Sequence, residues 1–195
     1  VLPGPMTLAH ASEDGDYRSR RNVVLKMAEL LNAEACALAR AGAPIVQFDE
    51  PALTLRPLNA RLASEALRIA TRSLKATTAL YTYFGRLDGA LDVLVRAPVD
   101  LLGIDLVSDP AAIKSLKRAQ GTKEIAVGCL DARNTKLESI ATLHALFDAV
   151  GRHIPLSRLT VNPNCGLEFL PHAQAFRKVK RLVQAVRTYR NRNRA

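Results

Sequence analysis

Short apolar runs and amphipathic stretches alternate along this chain from end to end, and that alternation is the strongest constraint on its fold. Residues 1–2, 45–49, 77–84, 99–107, 124–130 and 158–161 read as strands, most of them nearly continuous apolar runs. Between them lie stretches with apolar residues at helical spacing. In residues 19–40 these are Val23, Met27, Leu30, Leu31, Ala35 and Leu38. Asn59 is placed to cap a helix reaching about residue 74, and Leu87, Leu91 and Leu94 mark a short one. Ser108 or Asp109, ahead of Pro110, suits the start of the next, and residues 137–150 form another. Phe176, Val179, Leu182, Val183 and Val186 keep the spacing in the last.

Apolar strands between amphipathic helices call for a parallel sheet covered on both faces. The expected class is α/β, of the (β/α)8 TIM-barrel type, partial, with about six β/α units in this chain. A doubly wound open sheet is the alternative, although no GxGxxG or P-loop motif supports a nucleotide fold. The abrupt opening at Val1 suggests that residues 1–195 are a single barrel domain with its first strands missing. An incomplete barrel exposes strand edges and apolar helix faces, so a homo-oligomer or a partner chain completing the barrel is expected.

Composition narrows the setting. Hydrophobic residues make up 48% and charged residues 24%, ordinary for a globular protein, and no apolar run approaches a membrane span of roughly 20 residues. No leader is visible and the three cysteines form no disulfide framework, which points to reduced thiols in the cytoplasm. The net charge is +10, and eight Lys or Arg residues with no acid lie between Arg177 and Ala195. No aromatic interleaving accompanies them, so they read as the solvated face of a helix ending in a basic frayed tail at 187–195, and nucleic acid is not an expected partner.

Chemistry-bearing residues gather at the strand ends. Asp49 and Glu50 close the second strand, followed by Pro51, which cannot donate to a ladder. Adjacent residues on a strand point to opposite faces, so the two carboxylates cannot point the same way; acids at such a strand end suit a site, and the alternative is that one caps a helix or pairs with an arginine. Tyr81 or Tyr83, Asp105, Asp131 and Cys165 stand at the following strand ends, where a barrel displays its active site. Each has an ordinary alternative. Cys165 beside Gly166 fits a buried turn, Asp105 fits a cap or a pair with Arg133 across neighbouring strand ends, and the tyrosines fit strand packing. His144 and His153 read as surface residues, and His10 as facing the mouth. Cys36 and Cys129 read as core.

Six segments in order carry a resemblance: residues 1–7 (VLPGPMT), 46–53 (VQFDEPAL), 82–85 (TYFG), 103–107 (GIDLV), 131–134 (DARN) and 161–167 (VNPNCGL). Together they resemble the barrels of the cobalamin-independent methionine synthase family. The resemblance implies methyl transfer from 5-methyltetrahydrofolate to homocysteine, giving methionine, with zinc holding the homocysteine sulfur as thiolate. Long-form members also carry a degenerate barrel, so a small-molecule-binding or partner-packing module is the alternative. On the resemblance, Asp49, with Glu50 beside it, binds substrate through the homocysteine ammonium, and Cys165 and Asp105 stand at two zinc-ligand positions. Tyr83 and Gly85 replace the family's His and Cys ligands, leaving the zinc set incomplete. Arg133 stands where the catalytic barrel has a proton-carrying His, and Ala11 near its pterin-stacking Trp. An arginine stays charged and cannot carry that proton.

Overall fold

The computed structural model describes residues 1–13, 17–55, 59–87, 89–119 and 123–193. Six strands form one parallel sheet in chain order: β1 (Leu2–Pro3), β2 (Ile45–Asp49), β3 (Thr77–Thr82), β4 (Leu101–Asp105), β5 (Glu124–Leu130) and β6 (Leu159–Pro163). Helical segments connect them: α1 (Pro5–Ala11), α2 (Arg20–Arg40), α3 (Ala52–Leu55), α4 (Ala60–Ala70), α5 (Leu91–Leu94), a 3-10 segment (Pro110–Ala119) and α6 (Ile140–Gly151), with α7 (His172–Arg192) closing the chain. Neighbouring strands that are also consecutive in sequence, each joined through helix, are the arrangement of a (β/α)8 barrel. The described residues hold six of its units.

The helices start where side chains can cap them. Ser19 accepts from Asn22 N–H, Asn59 from Leu62 N–H and Ser139 from Thr142 N–H, satisfying donors that a helix leaves open in its first turn. Their apolar faces bury Val23, Val24, Leu31, Ala63, Ala66 and Leu67 against one face of the sheet, on Val46, Phe48, Leu80, Leu102, Ile104, Ile125 and Val127. The opposite face, the barrel interior, carries the alternate residues. There Ala79, Leu101 and Ala126 form a small cluster with Tyr81, and Gly103 leaves room for the Tyr81 ring, which a Cβ at that position would strike. Small residues inside and large ones outside place the bulk of the core between sheet and helices. The strand ends are left open for polar groups.

Residues 5–11 and 52–55 add two short helices that the sequence pattern did not mark; Pro5 suits a first helical position, and Glu50 receives the N–H groups that follow it. Two expectations change. The region 187–195 is not a frayed tail over its described part. Helix α7 continues to Arg192 because Tyr189 is buried on α6, its hydroxyl 2.8 Å from Asp148 and its ring edge-on to Phe147 and His144. His144 is likewise no plain surface residue; its Nε2 lies 3.0 Å from the Ala185 carbonyl oxygen in the α6–α7 contact. The polar loop read at 12–16 lies partly outside the described residues.

Candidate functional site

The strand ends enclose a cavity of about 390 Å³, lined by Gln47, Asp49, Tyr81, Tyr83, Asn162 and Cys165 among others. Register explains the grouping. Asp49 pairs with Tyr81, Tyr81 with Gly103, and Gly128 with Asn162, so their side chains share the inner face near its C-terminal rim. Asp49 is half-buried; its Oδ1 accepts from Gln47 Nε2 at 2.7 Å and its Oδ2 from the Tyr83 hydroxyl at 3.1 Å. Burial, then the Asp49 charge, raises the Tyr83 phenol well above its ordinary value, so Tyr83 stays a hydrogen-bond donor. Asn162 completes the wall. Its Oδ1 is buried and accepts no hydrogen bond from the described residues.

Glu50 is not in this cavity. Its side chain turns to the other face, is wholly buried, and accepts from Met6 N–H, Thr7 N–H and the Thr7 hydroxyl at 2.7–2.8 Å. It therefore caps α1, and the expectation that it binds substrate gives way to that role. Gly4 is required beside it, since a Cβ there would overlap the Glu50 carboxyl group. Burial raises the Glu50 carboxyl to about 7, against the three donors that favour its ionised form.

Asp105 is 3% exposed and does not pair with Arg133. Its Oδ1 accepts from Val107 N–H and Ser108 N–H, both at 2.9 Å, and its Oδ2 from Phe84 N–H at 3.1 Å and Asn164 Nδ2 at 3.2 Å. Arg133 is exposed, with its guanidinium carbon 5.5 Å from the centre of the Phe84 ring, a cation–π contact. Cys165 is half-buried in the cavity, and its thiol is pushed up to about 11 by burial, then by Asp105, Glu168 and Asp131, against Arg133. His10 is exposed on α1 and is not among the residues lining the cavity. Cys129 is buried, as expected of a core residue, and burial carries its thiol to about 12.

Sequence reasoning missed two residues that hold this region. Asn164, 2% exposed, bridges Asp105 and the Ala132 N–H, and Lys178, wholly buried, pairs with Glu138 behind the loop after β5. Asn164 sits in a Pro-Asn-Cys-Gly turn where a buried amide is a usual device. Lys178 carried no signal apart from the surrounding basic residues.

A parallel β/α sheet with a carboxylate, phenols and a thiol at its C-terminal rim is the arrangement in which a (β/α)8 barrel displays a site. Residues 1–188 match the family described as "Cobalamin-independent synthase, Catalytic domain", and the chain belongs to that family. It is 30% identical over 189 residues to a methionine synthase of Methanothermobacter marburgensis, covering 95% of this chain and 61% of that protein. With a methionine synthase of Pyrococcus furiosus it shares 27% identity over 189 residues, 97% of this chain and 56% of the other. A solved B12-independent methionine synthase from Shewanella sp. W3-18-1, in complex with selenomethionine, matches the fold with a TM-score of 0.89 at 24% identity, over 97% of this chain and 61% of that one. The chain thus spans about 60% of the length of these relatives.

The zinc that the family resemblance implies does not fit the residues present. All four lone-pair directions of Asp105 are engaged by N–H donors, the Tyr83 hydroxyl is spent on Asp49, and Gly85 has no ligating side chain. Among the described residues no group of three or more His, Cys, Asp or Glu side chains is arranged to hold a metal ion. No helix among them is long and apolar enough to cross a membrane.

Proposed function

We propose that this chain is part of a methionine-synthase-type methyltransferase and that its cavity takes the amino-acid substrate, homocysteine, with Asp49 holding the ammonium group. The observation that carries this reading is the Asp49 carboxylate on the wall of this cavity, held in a fixed direction by Tyr83 and Gln47. A carboxylate so oriented suits the N–H donors of an ammonium group. A volume of about 390 Å³ admits a small molecule of this kind. The selenomethionine named with the Shewanella enzyme supports an amino acid of the methionine type as the ligand class.

In the full reaction the methyl group comes from 5-methyltetrahydrofolate, and the chain's residues bind and orient the acceptor. Arg133, at the proton-carrier position of the resemblance, supplies positive charge beside Cys165 and no transferable proton. The second reading is a catalytically degenerate barrel that binds the same amino acid without turnover, and the saturated carboxylate of Asp105 favours it. Both readings suit a cytoplasmic protein acting on small molecules. The outer edges of β1 and β6 are unpaired within this sheet, and α7 exposes Phe176, Val179 and Val183 beside an apolar groove against β6. These features support a further β/α segment or a second copy docking there, for which light scattering is the test.

Isothermal titration with L-homocysteine and L-methionine tests the ligand. Binding should be saturable in the wild type and at least about 30-fold weaker in Asp49→Asn, the loss expected for a hydrogen-bonded charge. Equal affinity in the two proteins overturns the assignment. Methionine formation from 5-methyltetrahydrofolate and homocysteine then separates the two readings.

A further inference from the structure

We propose that Asp105, at the position where the family resemblance puts a zinc ligand, is instead the centre of a metal-free hydrogen-bond network that fixes the mouth of the cavity, with Asn164 as its second member. A carboxylate offers about four lone-pair directions, and a metal-ligating oxygen must keep one aimed at the ion. Here all four are filled. Val107 and Ser108 donate from the turn after β4, Phe84 from the turn after β3, and Asn164 from the turn after β6. The Asn164 side-chain Oδ1 then accepts from Ala132 N–H at 2.9 Å, in the turn after β5.

Four consecutive strand-end turns are thereby tied through two buried side chains. The network also explains a backbone oddity. Phe84 has φ +75°, a left-handed conformation unfavourable for a non-glycine residue, and its N–H is the donor that Asp105 holds. Such a network needs no ion to satisfy it. Of the other positions implied for zinc only Cys165 keeps a ligating side chain, since Tyr83 is a hydroxyl already donating to Asp49 and Gly85 has none. The inference does not rest on the amino-acid assignment: metal content and thermal stability test one, ligand affinity the other.

The experiment uses the full chain purified without chelator and dialysed against excess zinc, then buffer. Wild type should retain less than about 0.1 zinc per chain, and its Tm should be unchanged by EDTA. Asp105→Asn replaces an acceptor oxygen by a donor and should lower Tm by about 5–10 °C. Asp105→Glu lengthens the side chain. On the network reading it dislodges four hydrogen bonds and lowers Tm without zinc uptake. Should either variant fail to fold, Asn164→Ala cuts only the bridge and should lower Tm by about 2–5 °C. One zinc per wild-type chain, lost to EDTA with a fall in Tm, overturns the proposal. So does an Asp105→Glu protein stabilised by one zinc, or an Asp105→Asn or Asn164→Ala protein as stable as wild type.

Discussion

Lys178 lies wholly buried in α7 with its ammonium 3.3 Å from each carboxylate oxygen of Glu138 and 2.7 Å from the Asp131 carbonyl oxygen. Glu138 Oε1 also accepts the Asp131 N–H at 2.9 Å, and Arg181 donates to the Glu138 carbonyl oxygen. The loop between β5 and α6, which carries Arg133, is thus held from behind by the helix that closes the chain. Removing one partner of such a pair leaves the other charge without compensation. Lys178→Met should cost about 3 kcal/mol in urea unfolding, whereas Lys180→Met on the exposed face should stay within about 0.5 kcal/mol. Equal effects would mean that the pair does not anchor the loop.

How much of this was legible beforehand depends on whether local pattern or tertiary contact decides. Strand β5 spans residues 124–130 as read, and Asn59 caps α4 as read, because apolar runs and cap chemistry are local signals. The pair Asp49–Glu50 was half legible. Alternation required the two carboxylates to part, but only the packed fold shows that the Glu50 face meets the start of α1. Lys178 was hidden for a different reason. In a helix with basic residues at 177, 178, 180 and 181, which one turns inward depends on where Glu138 waits, a residue 40 positions away. Asp105 and Arg133 lie at neighbouring strand ends as expected, yet backbone N–H groups outcompeted the guanidinium for the buried carboxylate.

Glu50 should give the fold a pH dependence. Its folded value, about 7, is raised above the ordinary 4.5 by burial. A raised carboxyl contributes stability that is full below its unfolded value and is lost as pH rises through the folded one. Stability should therefore fall between about pH 4.5 and 7, by up to about 3 kcal/mol, as the buried group is forced to ionise. Glu50→Gln cannot titrate, and the slope of unfolding free energy against pH in that window should flatten. A slope unchanged by the substitution would show that other groups set it.

The thiol of Cys165, raised to about 11, should be a poor nucleophile at neutral pH. At pH 7.4 fewer than about one in a thousand of these thiols is ionised, and only the thiolate alkylates at a useful rate. Iodoacetamide labelling followed by mass spectrometry should show a Cys165 rate that climbs about tenfold per pH unit from 7 to 10. Arg133→Ala removes the one charge that lowers this thiol and should slow the reaction further at each pH. A rate that levels off near pH 8.5 would show an ordinary surface thiol.

Tyr83 separates packing from positioning. Its hydroxyl reaches Asp49 Oδ2 at 3.1 Å, while Gln47 holds the other oxygen. Tyr83→Phe keeps the ring, its edge-on contact with Phe84 at 4.5 Å and its burial, and deletes a single donor. A hydrogen bond to a charged acceptor contributes about 1.5 kcal/mol, so affinity for homocysteine or methionine should fall about tenfold as Asp49 loses its fixed direction. Tm should move little, because the deleted atom lines the cavity and its partner remains hydrated and bonded to Gln47. If the tyrosine is strand packing alone, titration of the variant will reproduce the wild-type affinity. A fall in Tm with no change in affinity would assign Tyr83 to the fold and leave Asp49 to act without it.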